Sequence, residues 1–464
     1  MRTASKGRKE LSSSRAWAAA EFSRACLGDQ RLLKRLITVS ADFLENLNSS
    51  IPSACGGDWA KTKAAYRFFA NEQVTAEKLL ASHRQRTAER AQEHRVLLAV
   101  QDTSVLDFTT HSKTSGLGIT GSTEHALGMF LHSTLAVTTE GAALGLVDAQ
   151  TWTRSPESRG QAQRREQRPL AEKESSKWLK SFRATAEWAQ AFPEAQVVSV
   201  ADREGDLYDL FLAAAAEPRV GVLVRSKQPR RLQEKAELSW ENLSAQPAAG
   251  RTEVRVPRQP GQPARVASLE IRFGEVQLRP PARKPNLPAV TVWIIEGREI
   301  NSRTTKPLHW RLVTTVKVSQ LEEATERLRW YEKRWVIEEF HRVLKSGCGA
   351  EKRQLETVER LEKILMLDMI VAWKILEMRR LTRDQPAASA ASRLDALEVT
   401  VLKKILKKKP EEPLAIREAV RAIAKLGGFL GRKTDGEPGA TTIWRGFQRL
   451  EQLIEGYTLH DLCG

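Results

Sequence analysis

Val96-Leu97-Leu98-Ala99-Val100 is apolar without a break, and Ala195-Gln196-Val197-Val198-Ser199-Val200-Ala201 is nearly so. A strand with one wet face alternates polar and apolar residues, whereas a continuous apolar run belongs to a strand covered on both faces. Buried central strands of this kind commit the middle of the chain to an α/β fold. Each run leads into a carboxylate: Asp102 in Gln101-Asp102-Thr103, and Asp202 in Asp202-Arg203-Glu204-Gly205-Asp206. Both are read as lying at a strand's C-terminal end.

Leu131 to Val137 and Ala143 to Trp152 make two more strands, joined by a turn at Glu140-Gly141. A polar loop, Arg154 to Arg168, leads into an amphipathic helix from about Ala171 to Phe192, and Gly221-Val222-Leu223-Val224-Arg225 is a fifth strand. Three strands, helix, strand, helix, strand is the order an RNase H-like core requires. Pro and Gly turns around alternating stretches, such as Leu269 to Phe273 and Val290 to Ile294, then mark an all-β insertion over 228–308. The core is therefore expected in two parts, 76–227 and 309–355. Ahead of it, 1–75 reads as a small helical domain: Trp17 to Cys26, then Arg31 to Leu47 capped by Asp29, then a third helix after Gly56-Gly57-Asp58. Behind it, 356–464 is almost wholly helical, with Lys403 to Lys409 as a basic, solvated helix end.

A chain of 464 residues exceeds one hydrophobic core. Its 74 Lys and Arg against 57 Asp and Glu leave a net charge of +17, which favours a polyanionic partner, nucleic acid before membrane. Four scattered cysteines suit neither a disulfide scaffold nor a metal quartet and read as reduced thiols. No signal peptide is expected. The most apolar run, Ile364 to Leu376, is broken by Asp368 and Lys374 and falls short of the ~20 residues of a membrane span. A cytoplasmic protein follows from these features.

Trp330 to Lys345 holds no Gly or Pro and precedes Ser346-Gly347, so it reads as one helix stopped by a glycine. At about 100° per residue, Tyr331, Arg334, Glu338, Arg342 and Lys345 share a sector about 80° wide. Val336, Ile337, Phe340, Val343 and Leu344 fall opposite and face a core. A solvated, charge-paired surface would look the same on a wheel. The order of residues says more: Tyr331, Arg334, Glu338 and Lys345 resemble the Tyr-Arg-Glu-Lys signature of bacterial DDE transposases of insertion-sequence family four. Arg334-Trp335-Val336-Ile337-Glu338-Glu339-Phe340-His341 is similar to that signature's surroundings almost letter for letter.

The resemblance runs from about Trp17 to Tyr457 and implies a DNA transposase acting in the bacterial nucleoid. It makes Asp102, Asp202 and Glu338 the catalytic triad, holding two divalent ions about 4 Å apart. Oxygen ligands select Mg²⁺, with Mn²⁺ substituting. Tyr331, Arg334, Arg342 and Lys345 would contact DNA, Arg225 and Lys227 match a basic pair near it, and Arg31, Arg35 and Arg67 would read the transposon ends. Trp310 stands at the interval of a family Trp that stacks on a base flipped out as the DNA end forms a hairpin; core packing is the other reading of a strand Trp. The C-terminal domain would pair two copies, a homodimer in a synaptic complex on double-stranded DNA. Leu344 and Leu32 depart from the family pattern. The alternative is an RNase H-like nuclease without strand transfer, which needs the carboxylates but neither Trp310 nor a pairing domain. Glu204, Asp206 and Glu339 are the competing carboxylates.

Overall fold

The computed structural model describes residues 13–121, 125–155, 173–227, 230–232, 239–256, 265–302, 307–384, 386–392, 394–432 and 435–463. Most of the Arg154 to Arg168 loop lies outside them.

The N-terminal domain consists of α1 (Ser13–Glu21), α2 (Gln30–Glu45), α3 (Ile51–Ala54) and α4 (Trp59–Ala70). Asp29 caps α2 by accepting from the Arg31 N–H at 2.7 Å, and Asp58 caps α4 through the Lys61 N–H at 3.0 Å. Helix α5 (Ala76–Ala91) carries the chain into the core.

Strands β1 (Val96–Asp107), β2 (Gly118–Ile119), β3 (Leu127–Thr138), β4 (Ala143–Trp152), β5 (Gln196–Ala201) and β6 (Val220–Arg225) are interrupted by α6 (Ser176–Ala189) and α7 (Tyr208–Ala215). Their order is β4-β3-β1-β5-β6, with β1, β5 and β6 parallel and β3 antiparallel. That is an RNase H-like core. Strand β1 does not stop near Gln101 as expected. Its parallel partner β5 ends at Ala201, but β3 keeps pairing with it as far as Asp107 opposite Gly128.

After helix α8 (Ser239–Ser244), the inserted strands β7 (Gly250–Val256), β8 (Arg265–Leu278) and β9 (Val290–Glu299) do not form a separate body. Strand β10 (His309–Thr314) pairs with β6, Leu312 opposite Arg225, and with β9 on its other side. One ten-stranded sheet results, and the β6 edge, which would otherwise expose unpaired backbone, is covered.

The chain continues through α9 (Leu321–Glu332), α10 (Trp335–Arg342), α11 (Val358–Asp384), α12 (Ala396–Ile405), α13 (Ile416–Leu426) and α14 (Ala440–Cys463). A border at 356 does not coincide with a border between cores, because Leu361, Ile364, Leu365, Met369 and Leu376 of α11 are buried in one cluster with residues as early as Ala18. A smaller core gathers Met378, Leu402, Ile423 and Leu450. Two buried polar clusters tie distant segments together. Arg353 donates to Asp368 at 2.8 and 2.6 Å and to the Ser49 carbonyl at 2.7 Å, with its guanidinium over Phe43. Glu21 of α1 holds His83 and Arg90 of α5 at 2.6 and 3.0 Å, and His83 in turn accepts from the Leu146 N–H of β4. Among the described residues no helix is long and apolar enough to cross a membrane.

Candidate active site

Strands β1 and β5 run parallel with Val100 opposite Val200. Two residues on, Asp102 and Asp202 therefore stand at one level and on one face of neighbouring strands about 4.8 Å apart. Asp202 leaves its strand to cap a short turn, Arg203–Gly205, accepting from the Glu204 N–H at 2.8 Å. Asp102 accepts from the Thr103 N–H at 2.8 Å. Helix α10 packs across β1 and β3 and brings Glu338 to the same place. Arg334 joins them: one guanidinium nitrogen lies 3.4 Å from Asp102 Oδ2 and another pairs with Glu338 Oε1. Burial lifts the Asp102 carboxyl to about 6; Arg334 and the Thr103 N–H oppose the rise, and the charges of Asp202 and Glu338 add to it.

Among the described residues no three His, Cys, Asp or Glu side chains stand close enough to grip an ion as they are. The donors nonetheless suit a hard divalent cation. They are all carboxylate oxygens, and the Arg334 guanidinium offsets the charge of two of them, Asp102 and Glu338. Arg334 was expected to grip DNA phosphates; in this structure it is bound to two of the three candidate ligands instead.

The helix expected from Trp330 to Lys345 is interrupted. α9 ends at Glu332, a turn follows at Lys333-Arg334, and beyond α10 the backbone makes a π turn over Val343–Gly347, closed by the Cys348 N–H on the Val343 carbonyl at 2.9 Å. The glycine that ends it is Gly349, at φ 67°, rather than Gly347. A side chain at Gly349 would also meet Asn48 Oδ1 at 2.4 Å. Ile337, Phe340, Val343 and Leu344 face the core as expected. Tyr331 does not share an open polar face, being 4% exposed. Its hydroxyl lies beside the Arg225 and Arg334 guanidiniums; burial raises its pKa while their charges pull it down. Its ring meets Trp310 edge-on, with centroids 5.3 Å apart.

Trp310 was expected to offer an indole face to a base. It is 3% exposed, on a central strand of the sheet, and belongs to the main core. Lys345 donates to the Val105 carbonyl and lies 3.8 Å from Glu351, while Arg342 is exposed. In the N-terminal domain Arg67 is exposed and Arg35 half-buried; Arg31 is exposed but paired with Asp29 at 2.9 Å.

A basic pocket beside Asp202 was not singled out in advance. Arg203, Arg225, Lys227, His309 and Arg311 line it, with Trp240 behind. Arg225 donates to the His309 carbonyl at 3.2 Å, and His309 and Arg311 share buried Glu296 at 2.9 and 3.1 Å. The signal lay in Asp202-Arg203 and Trp310-Arg311, each a cation next to a residue already chosen. Two competing carboxylates are otherwise engaged: Asp206 is buried under Arg230, at 2.6 Å, and the Lys227 N–H, and Glu204 pairs with Lys177 at 3.1 Å. His132 and His341 are bonded to Thr103 and Ser133 at 2.9 and 2.8 Å, as structural histidines.

The sheet order, with carboxylates gathered where its parallel pair ends, defines an RNase H-like phosphoryl-transfer frame. Three family models match the chain: "Transposase DNA-binding" over residues 14–74, "Transposase DDE domain" over 197–373 and "Transposase Tn5 dimerisation domain" over 370–460. The chain belongs to the DDE transposases of the Tn5-like kind, consistent with insertion-sequence family four. Asp202 and Glu338 lie inside the DDE match, and Arg31, Arg35 and Arg67 inside the DNA-binding match. Among solved structures, the "Cryo-EM structure of piggyBac transposase synaptic complex with hairpin DNA (SNHP)" aligns at 9% identity and a TM-score of 0.37, covering 99% of this chain and 76% of that one. That likeness is too loose to argue from.

Proposed function

We propose that this DNA transposase works by cut and paste: a nick at the transposon end, attack of the freed 3′-OH to form a hairpin, hairpin opening, and strand transfer into target DNA. The observation that carries the site is the β1–β5 register, which sets Asp102 and Asp202 side by side, with Glu338 bound to the same Arg334 as Asp102. Bound at these carboxylates, Mg²⁺ or Mn²⁺ would supply activation of the attacking oxygen and stabilisation of the leaving one. Arg334 bridges the half-buried Asp102 and Glu338 and offsets their charge in the free enzyme, and Tyr331 packs beside Arg334 and Arg225. Arg225 and Lys227 line the pocket that receives backbone phosphates beside Asp202; Arg342 and Lys345 flank the path. Arg31, Arg35 and Arg67 contact the transposon end, and the C-terminal domain pairs two copies into the complex that joins both ends.

Incubating the full chain with its element's terminal duplex and Mg²⁺ tests this by product. A hairpin supports the reading, whereas a simple nick without strand transfer supports the nuclease alternative. Asp102→Ala, Asp202→Ala and Glu338→Ala should each abolish nicking while leaving duplex binding within a few-fold. Near-normal cleavage in any of them removes that residue from the triad.

A further inference from the structure

Asp102 of β1 and Ser133 of β3 are directly opposed, so their side chains leave the sheet on the same face as close neighbours. Helix α10 crosses that face with Glu338. About one turn further on it carries His341, whose Nε2 lies 2.8 Å from Ser133 Oγ. Both groups are buried.

Glu338 is thus bracketed between two anchors. Four residues before it, Arg334 reaches Asp102; three residues after it, His341 reaches the residue opposite Asp102. The anchors differ in what they occupy. Arg334 bonds oxygens of Asp102 and Glu338 themselves, the proposed ligand atoms. Ser133 and His341 leave every carboxylate oxygen free. Their bond joins two uncharged groups, because burial, helped by Lys345, pushes the imidazole down to about 3.

Helix α10 needs such an anchor. It has eight residues, about 12 Å of helix, with the turn at Lys333-Arg334 before it and the π turn after it. Ile337 and Phe340 bury its inner face, but apolar contact is non-directional and lets a short helix slide or roll. A site ligand has to be held to within about 0.5 Å. A hydroxyl and an imidazole sealed in a core gain little net stability over apolar residues of the same shape, so their place beside the carboxylates speaks for alignment.

We propose that the bond between Ser133 and His341 sets the position of α10, and with it that of Glu338 against Asp102, making the pair positioning residues for the reaction. The inference rests on the triad reading, in which Asp102 and Glu338 share an ion.

The test follows the full chain in two ways: the Mg²⁺ concentration for half-maximal nicking of its element's terminal duplex, and amide hydrogen exchange without metal or DNA. Ser133→Ala and His341→Leu should each raise that concentration by roughly 3- to 10-fold and speed exchange over α10 relative to α9. Duplex binding without Mg²⁺ should stay at the wild-type level. His341→Gln, whose amide can stand where the imidazole Nε2 lies, should recover most of the loss. The double variant Ser133→Ala/His341→Leu should be no worse than either single one, since both remove the same bond. Side chains that serve only the fold would lower the melting temperature and leave the Mg²⁺ midpoint unmoved. That result in both single variants, or additive losses in the double, overturns the proposal and leaves the triad standing. A wild-type chain that never nicks overturns the transposase reading; α10 exchange then decides the pin, and unchanged exchange in both single variants overturns it too.

Discussion

Trp310→Ala distinguishes a packed indole from a base-stacking one. Its side chain buries on the order of 200 Å², which at about 25 cal/mol per Å² sets an upper bound near 5 kcal/mol. Partial collapse of the cavity brings the expected loss to about 3–5 kcal/mol. Tyr331 would also lose its edge-on partner, worth about 0.5–1.5 kcal/mol, and with it part of the packing that holds its ring beside Arg225 and Arg334. At roughly 2 °C per kcal/mol for a large domain, the melting temperature should fall by about 6–10 °C. Nicking, hairpin formation and duplex binding should decline together, and Trp310→Phe should recover most of the melting temperature. The assay is a melting curve beside nick and hairpin yields on an intact end and on one with an abasic site next to the cut. A variant that melts like wild type, nicks normally, accumulates nicked DNA and is rescued by the abasic substrate would refute the packing argument. It would show an indole that leaves the core to recover about 1–3 kcal/mol on a base.

Arg334→Gln should stop nicking but leave the salt slope of duplex binding unchanged, since Asp102 and Glu338 already hold its guanidinium; Arg342→Gln should flatten that slope by about 0.9, and the opposite pattern would return Arg334 to the phosphates. Burial, helped by Lys345, pushes the His341 imidazole down from 6.5 to about 3. The unfolded chain therefore binds more protons between those values, and stability present above pH 6.5 is lost as pH falls toward 3. Melting temperature plotted against pH should be flatter for His341→Gln than for wild type across that window; parallel curves would show an imidazole that titrates freely. Arg353→Leu strands the buried Asp368 carboxylate and should destabilise by about 3–5 kcal/mol, while the double variant with Asp368→Leu should recover most of that in a denaturant melt.

Asp102 and Asp202 were legible because a strand covered on both faces needs unbroken hydrophobicity, and such runs are short enough to show where they stop. The length of β1 was not, since its last turns of pairing come from β3, whose approach no local pattern announces. The same holds for β10 beside β6: alternation marked the inserted strands but could not say that Leu312 would pair with Arg225 and carry them into the catalytic sheet. Helical periodicity placed Ile337, Phe340 and Leu344 inward. It also assumed one uninterrupted helix, and the turn at Lys333-Arg334 took Tyr331 off the polar face. Arg334 marks a different limit. A cation near carboxylates serves equally to bind a phosphate or to bridge two acids, and only coordinates distinguish these. Trp310 was ambiguous from the start, and its burial favours the commoner of its two environments.

Arg353 reaches from the Ser49 carbonyl to Asp368, and Glu21 from α1 to His83 and Arg90, so the helices proposed to grip a transposon end and the strands that bear Asp102 and Asp202 are riveted into a single calliper. Such an instrument measures length rather than letters. Under the proposed function, the bond delivered to Asp102 would be set by its distance from the bases held at α4, whatever base pair lies at the cut. An element whose terminal repeat gained one base pair between those points would be recognised as before and severed one nucleotide inside its true boundary.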